Sequence, residues 1–160
     1  MTDVAGLLER LRAASQTVAV AESLTGGLVL ATLTEVAGAS DVVRGGVVVY
    51  ATDSKTTLAG VDAALLARVG PVHPEVARAL ANGIRQRLSA TFGVGVTGVA
   101  GPSQQGGHRV GEVHLAVAGP GGTRDATLDL ADEVGRAEIR RAACQAALAL
   151  LAKASGEEAR

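Results

Sequence analysis

Short apolar runs alternate with stretches of helical spacing along this chain, and that alternation constrains the fold more than any other feature. The runs are rich in valine and too short for helices, so they favour buried strands. Strands are predicted at 17–21, 43–51 and 92–97. Helices are predicted at 3–14 after Thr2 or Asp3, at 26–36, from Thr52 or Asp53 to Leu58, from Asp62 to Val69, and at 74–90 and 134–154. Strands that alternate with helices in this way form parallel sheets.

The last third of the chain changes pattern. Residues 110–118 and 123–130 predict two antiparallel strands joined at Gly119-Pro120-Gly121-Gly122. The whole pattern therefore predicts an α/β fold: a single-domain three-layer sandwich with a mixed β-sheet flanked by helices. With 160 residues in total, we expect one domain over residues 1–154 and a polar tail at 155–160.

The composition excludes several classes of ligand. Tyr50 and Phe92 are the only aromatic residues, so the core must be aliphatic and stacking platforms for bases are lacking. Fifteen basic and 16 acidic residues give a net charge of −1, without the basic surface that nucleic acid requires. Neither a secretory signal nor an apolar run of about 20 residues is present, which leaves the cytoplasm as the expected compartment and no membrane partner.

Cysteine and histidine give little sign of further chemistry. Cys144 falls in the apolar pattern of the last helix, where a small buried hydrophobic residue is expected rather than a catalytic thiol. His73, His108 and His114 are scattered singly without a cluster of cysteine partners, so we expect no metal site.

The segment Ala21-Glu22-Ser23-Leu24-Thr25-Gly26-Gly27 follows the first apolar run and predicts a strand, a sharp turn and a helix. Such a turn exposes the Ser23 hydroxyl, while Gly26 and Gly27 allow a ligand to approach N–H groups that favour anions. The alternative is structural: Ser23 or Thr25 would be an N-cap, with the glycines closing a tight turn.

Tyr50 and Lys55 form a second candidate, at a strand end and in the first turn of the next helix. Ligands in open α/β sheets gather at the carboxyl ends of strands, so Ser23 and Tyr50 are expected to face one pocket. A neutral lysine accepts a proton from serine, which requires its pKa to fall from about 10.4 to roughly 7–8 through burial or a nearby cation. The alternatives are a solvated Lys55 and a Tyr50 ring in the core.

The third candidate is Thr97-Gly98-Val99-Ala100-Gly101-Pro102, again where a strand ends. Its glycines allow several N–H groups to point at a phosphate or an oxyanion, although an ordinary loop has the same composition. Gly93 to Gly98 also match G-x-G-x-x-G, but they lie within the strand and no helix follows, which argues against a dinucleotide site. Candidate phosphate-binding arginines are Arg109, Arg124, Arg136, Arg140 and Arg141.

Taken together and in this order, the three segments resemble the CinA C-terminal domain family, whose characterised members include nicotinamide-nucleotide amidohydrolases. The resemblance covers about residues 5–152 and extends to Gly60-Val61 and Val110-Gly111-x-Val113. It implies hydrolysis of the carboxamide of nicotinamide mononucleotide, giving nicotinic acid mononucleotide and ammonia in pyridine nucleotide salvage, without cofactor or metal. The larger relatives carry an additional N-terminal domain, whose activity we expect to be missing here.

The resemblance also implies roles for individual residues. Ser23 would attack the amide carbon, Lys55 would act as general base and later as acid, and Tyr50 would orient them or relay the proton. Residues expected to contact substrate are Glu22, Thr25, Gly26, Gly27, Thr97, Gly98, Ala100 and Gly101.

Two positions depart from the family pattern. Leu24 stands where a cysteine is frequent, and His73 stands where a serine is common, which is expected to alter substrate contacts. The competing hypothesis is a non-catalytic nucleotide-binding or assembly module of the competence and damage-inducible type, since family membership does not establish turnover. Surfaces rich in alanine and valine favour a homo-oligomer of undetermined size.

Overall fold

The computed structural model describes residues 2–130 and 135–157, which form a β-sheet with helices packed on both of its faces. Its strands are β1 (Val18–Glu22), β2 (Val43–Val48), β3 (Phe92–Gly98), β4 (Glu112–Gly119) and β5 (Gly122–Asp129). Its helices are α1 (Val4–Ala13), α2 (Leu28–Thr34), α3 (Thr52–Ala59), α4 (Ala63–Val69), α5 (Pro74–Arg87) and α6 (Arg136–Glu157), with a 3-10 turn at Ala39–Asp41. Within these ranges no helix is both long and apolar enough to cross a membrane.

The sheet has the strand order β2-β1-β3-β4-β5. Strand β1 is parallel to β2 and to β3, whereas β4 and β5 continue the sheet in antiparallel fashion. The predicted mixed sheet and three-layer α/β sandwich are therefore confirmed. Glu22 lies opposite Val48 on one side and Val96 on the other, so three parallel strands end at one edge. The three candidate segments all begin at that edge.

The two faces of the sheet carry separate aliphatic cores. Helices α1, α2 and α6 cover one face, where Phe92 is fully buried among leucines and valines. Helices α3, α4 and α5 cover the other face around Leu80 and Ile84. Burial of each such side chain stabilises the fold by about 1.5–3 kcal/mol, so the scarcity of aromatics is offset by the number of aliphatic residues.

Glycines in β3 allow α5 to lie close against the sheet. A Cβ atom at Gly93 would collide with the carbonyl oxygen of Ala81, and one at Gly95 with that of Ala77. The glycines of the G-x-G-x-x-G match therefore lie within a strand, as predicted, and two of them allow the close packing of α5.

Helix boundaries agree with the sequence at some ends and differ at others. Asp3 and Asp62 cap α1 and α4 as predicted, each accepting a backbone N–H. The expected cap of α3 was wrong: its N-cap is Ala51, and no side chain there makes a capping bond. Helix α6 continues past 154 through Ser155, which is buried, so the tail predicted from that residue is partly helical. Residue 134 and residues 158–160 lie outside the described part of the chain.

Candidate active site

Ser23 sits immediately after β1, at the floor of a cleft of about 300 Å³. Its backbone N–H donates to the carbonyl oxygen of Val96 at 3.0 Å, which extends the pairing of β1 with β3 by one residue. Arg140 of α6 holds the following turn, donating to the carbonyl oxygens of Leu24 at 3.2 Å and Thr25 at 2.8 Å. The serine is thus fixed through its backbone while its hydroxyl faces the cleft.

The buried side chain of Glu22 caps the N-terminus of helix α2. Its carboxylate is 1% exposed and accepts hydrogen bonds from the N–H groups of Val29 and Leu30, both at 3.1 Å. The N-cap residue itself is Gly27, with a φ of 97° and no capping side chain. The alternative in which Ser23 or Thr25 caps this helix is therefore wrong, and the Ser23 hydroxyl is available for chemistry.

Four residues expected to contact substrate do not line this cleft. Glu22, Thr25, Gly26 and Gly27 are absent from the lining of the cleft described above. Gly26 and Gly27 both have positive φ, which a side chain would strain. The two glycines shape the turn, and Glu22 has both carboxylate oxygens engaged by α2, while contact of these residues with substrate stays a prediction.

Lys55 reaches Ser23 from the first turns of α3. Its side chain is 1% exposed, and its Nζ donates to the carbonyl oxygen of Val49 at 2.7 Å and lies 3.3 Å from Ser23 Oγ. Burial lowers the pKa of Lys55 from 10.5 to about 8. The solvated alternative for this lysine is wrong. Roughly a tenth of the molecules hold a neutral amine at pH 7, beside a hydroxyl that it can deprotonate.

Tyr50 lies at the rim of the cleft, with 60% of its surface exposed, so the alternative of a core ring is wrong. Its hydroxyl accepts a hydrogen bond from Arg136 Nη2 at 2.9 Å. In the described part of the chain this hydroxyl makes no hydrogen bond with Ser23 or Lys55. The structure therefore joins Tyr50 to a cation at the mouth of the site, not to the serine and lysine.

Arg136, the first residue of α6, crosses the cleft. Besides Tyr50, its guanidinium donates to the carbonyl oxygen of Gly101 at 2.5 Å. Both partners are neutral, and among the described residues no carboxylate pairs with this cation. An arginine in a cleft with no counter-charge among the residues the structure describes favours an anionic ligand.

The loop after β3 forms the opposite wall of the cleft. Thr97, Gly98, Ala100 and Gly101, all predicted to contact substrate, line it. The Thr97 hydroxyl donates to the carbonyl oxygen of Pro71 at 2.7 Å, which ties this wall to the segment before α5. Within the described chain the N–H groups of Ala100 and Gly101 have no acceptor, so they are available to an oxyanion or a phosphate.

Several lining residues were not predicted from the sequence. Pro71 and Val72 contribute from the segment before α5, and Gln104 and Gln105 from the loop after β3. No local pattern distinguishes these four residues, since only the packing of α5 on the sheet brings their segments together. His73, expected to alter substrate contacts, instead caps α5 by accepting the N–H of Glu75.

The remaining candidate cations and ligands have structural partners. Arg140 holds the turn after Ser23, Arg141 pairs with Glu138 on the surface of α6, and Arg109 pairs with Asp129 at 2.6 Å. Cys144 is 2% exposed within the aliphatic core, and burial raises the pKa of its thiol, which makes it unreactive. Over residues 2–130 and 135–157, histidine, cysteine and acidic side chains form no group of three able to hold a metal ion.

Comparison with known proteins identifies the family. The model of the CinA C-terminal domain matches residues 3–155. A CinA-like protein of Anaeromyxobacter dehalogenans (strain 2CP-C) is 50% identical over 146 residues, covering 91% of this chain and 35% of the relative. A CinA-like protein of Gloeobacter violaceus is 48% identical over 136 residues, covering 84% of this chain and 32% of the relative. The chain thus spans about a third of the length of these curated relatives.

Solved structures give the same answer. The competence/damage inducible protein CihA from Agrobacterium tumefaciens superposes with a TM-score of 0.87 at 37% identity, covering 98% of this chain and 97% of the other. A CinA superfamily protein from Klebsiella pneumoniae 700603 has a TM-score of 0.89 at 23% identity, which supports the fold alone. The match to the family model, the sequence identity to the relatives and the shared fold all agree, and the chain belongs to the CinA C-terminal domain family.

Proposed function

We propose that this protein hydrolyses the carboxamide of nicotinamide mononucleotide, releasing ammonia and leaving nicotinic acid mononucleotide for pyridine nucleotide salvage. The observation that carries the proposal is the buried pair: Ser23 Oγ lies 3.3 Å from the Nζ of Lys55. Burial brings the pKa of that lysine to about 8, which suits a general base near neutral pH. The substrate class comes from the resemblance to nicotinamide-nucleotide amidohydrolases, because the names of the matched relatives specify no activity.

In the first half of the reaction, neutral Lys55 takes the proton of Ser23 as Oγ bonds to the carboxamide carbon. The carbonyl of Val49 holds one N–H of the amine, which leaves the lone pair of the amine for the serine proton. The ammonium of Lys55 then returns a proton to the leaving nitrogen. The carbon–nitrogen bond breaks, ammonia departs and an ester of Ser23 remains.

In the second half, water hydrolyses the ester with the same two side chains. Lys55, neutral again, removes a proton from water as its oxygen attacks the ester carbon. The lysine then protonates Ser23 Oγ as the carbon–oxygen bond of the ester breaks. The product is the carboxylic acid, and the serine and lysine return to their starting states.

Backbone N–H groups would stabilise the negative oxygen that forms in each half. Ala100 and Gly101 line the cleft, and among residues 2–130 and 135–157 their N–H groups have no acceptor. Loss of one such donor typically raises a reaction barrier by about 3–4 kcal/mol, so the position of this loop matters as much as the nucleophile.

Arg136 would bind the phosphate of the nucleotide. A phosphate at the mouth of the cleft would exchange the two neutral acceptors of this guanidinium for charged oxygens, which form stronger bonds. Tyr50 would help to bind the substrate: its hydroxyl would hold Arg136, and its exposed ring would lie beside the bound nucleotide. This role replaces the proton relay that the family resemblance implies for Tyr50.

The test is production of ammonia and nicotinic acid mononucleotide from nicotinamide mononucleotide in the presence of EDTA. We expect turnover by the native chain and its loss in Ser23→Ala, with a circular dichroism spectrum like that of the native protein. Ser40→Ala, at an exposed serine in the 3-10 turn, is the matched control and should retain native turnover. A folded native chain that binds the nucleotide without releasing ammonia would contradict the proposal and favour the binding module.

A further inference from the structure

One carboxylate oxygen joins two histidines beside the loop that lines the cleft. Glu112 Oε1, at the start of β4, lies 2.8 Å from His108 Nδ1 and 2.9 Å from His114 Nε2. The Nδ1 atom of His114 in turn lies 3.0 Å from the hydroxyl oxygen of Thr127 on β5. His114 is buried, and the other two side chains are partly buried. These contacts define the His108–Glu112–His114 cluster.

The ionised carboxylate determines which ring nitrogen of each histidine carries a hydrogen. An ionised carboxylate only accepts, so His108 must carry a hydrogen on Nδ1 and His114 a hydrogen on Nε2. With the hydrogen on Nε2, the Nδ1 atom of a singly protonated imidazole is an acceptor, and the hydroxyl of Thr127 can donate to it. Burial would raise the pKa of Glu112, but hydrogen bonds from His108 and His114 outweigh burial and lower it, so the carboxylate is ionised.

The cluster holds the end of the loop that supplies a wall of the site. His108 donates its N–H to the carbonyl oxygen of Gln105 at 2.9 Å and accepts the N–H of Gln105 at 3.2 Å. Gly106 and Gly107 form the tip between them, with φ of 57° and 83°. Gln105 lines the cleft, so the imidazole of His108 links the cleft wall to the sheet through Glu112.

Neighbouring charges are already paired with one another. On this face, Arg109 pairs with Asp129 and Arg78 of α5 pairs with Asp125 of β5. The Arg109 pair is about two-thirds exposed on both sides, and such pairs contribute little. Because His108 and Glu112 are only 25% exposed, solvent screens their contact less than it screens the Arg109 pair.

We propose that His108 and Glu112 are positioning residues that hold the Gln104–Gln105 wall of the cleft and so set the affinity for substrate. They touch no reacting atom and act through the loop. The part concerning substrate rests on the proposed function, whereas the attachment of the loop does not.

The first experiment uses the protein without ligand and measures amide hydrogen exchange at Gln105 and His108. Because a hydrogen bond to a charged group is worth more than a neutral one, we expect exchange to become roughly tenfold faster in His108→Leu and Glu112→Met. His108→Asn and Glu112→Gln keep a donor and an acceptor, and should stay within about threefold of the native rate. Asp125→Asn, which removes the ion pair with Arg78, is the matched control and should leave both amides unchanged.

The second experiment compares KM and kcat for nicotinamide mononucleotide. We expect KM to rise about tenfold in His108→Leu with kcat within about twofold, and His108→Asn to recover most of the affinity. Native exchange rates in both disrupting variants would overturn the proposal, and so would a fall in kcat at unchanged KM. If the native chain releases no ammonia, the proposed function fails, while hydrogen exchange still decides whether the cluster holds the loop.

A measurement on the native protein tests the proposal even if the variants fail to fold. Nitrogen-15 NMR should find His108 as the Nδ1–H tautomer and His114 as the Nε2–H tautomer. The opposite tautomer at His108 would contradict the contact with Glu112 and with it the proposal.

Discussion

The Nζ atom of Lys55 lies 3.3 Å from the Oγ atom of Ser23, although 32 residues separate them in the chain. The pairing of β1 with β2 produces this proximity, because Glu22 and Val48 are opposite one another where the two strands end. Ser23 follows one strand directly, and a short connection carries the chain from the other strand into α3. Burial at this place leaves the amine with a pKa of about 8.

Lys55→Arg tests whether the amine must lose its proton. A guanidinium stays charged at any accessible pH, so it cannot accept the serine proton. We expect kcat to fall by about 10²–10⁴-fold, the usual contribution of a general base. Lys153→Arg changes an exposed lysine on α6 in the same way and should leave kcat unchanged. Native turnover by Lys55→Arg would exclude the lysine as the base.

The pH profile of the native protein follows from the same group. Lys55 acts in its neutral form, which increases as pH rises toward the pKa of about 8 and is nearly complete one unit above it. We therefore expect kcat/KM to rise about tenfold per unit below pH 7 and to level off near pH 9, as a single ionisation requires. A rate that falls over this range would assign the ionised ammonium, not the amine, to the reaction.

Arg136→Met tests the phosphate contact. Removal of a charge-assisted bond should raise KM for nicotinamide mononucleotide by roughly 10–100-fold. The phosphate-free nucleoside, nicotinamide riboside, should bind the native and variant proteins with similar affinity. Arg141→Met, at another arginine of the same helix that pairs with Glu138, is the control. An equal loss of affinity for nucleotide and nucleoside would place Arg136 elsewhere on the substrate.

Gly95→Ala tests the close packing of α5 on β3. A Cβ at this position would overlap the carbonyl oxygen of Ala77, so the helix must move away from the sheet. We expect the free energy of unfolding to fall by about 1–3 kcal/mol, as for other overpacked cores. Gly156→Ala in α6 meets no atom within 4 Å and should stabilise the protein by about 0.5–1 kcal/mol. Chemical denaturation measures both values, and an undiminished stability of Gly95→Ala would contradict the packing argument.

The sequence was sufficient for the local features of the site and insufficient for its long-range ones. Valine-rich runs and turn residues placed Ser23 at a strand end, because strand and turn preferences act over a few residues. The burial of Lys55 depends on how α3 packs against the rest of the fold, which no short pattern encodes. Arg136 meets Tyr50 from 86 residues away, and its role could not be separated from that of four other arginines.

Stability in acid should report the ionisation of Glu112. Hydrogen bonds from His108 and His114 lower its pKa in the folded protein despite partial burial, so the unfolded chain binds this proton more readily. The stabilisation is therefore complete above the unfolded pKa of about 4.3 and is lost as pH falls through the folded value. Glu112→Gln keeps an acceptor oxygen but cannot ionise, so it should melt below the native protein at pH 7. The difference in Tm between the native protein and Glu112→Gln should close on acidification toward pH 3. A difference that stays constant would show that the charge of Glu112 does not stabilise the fold.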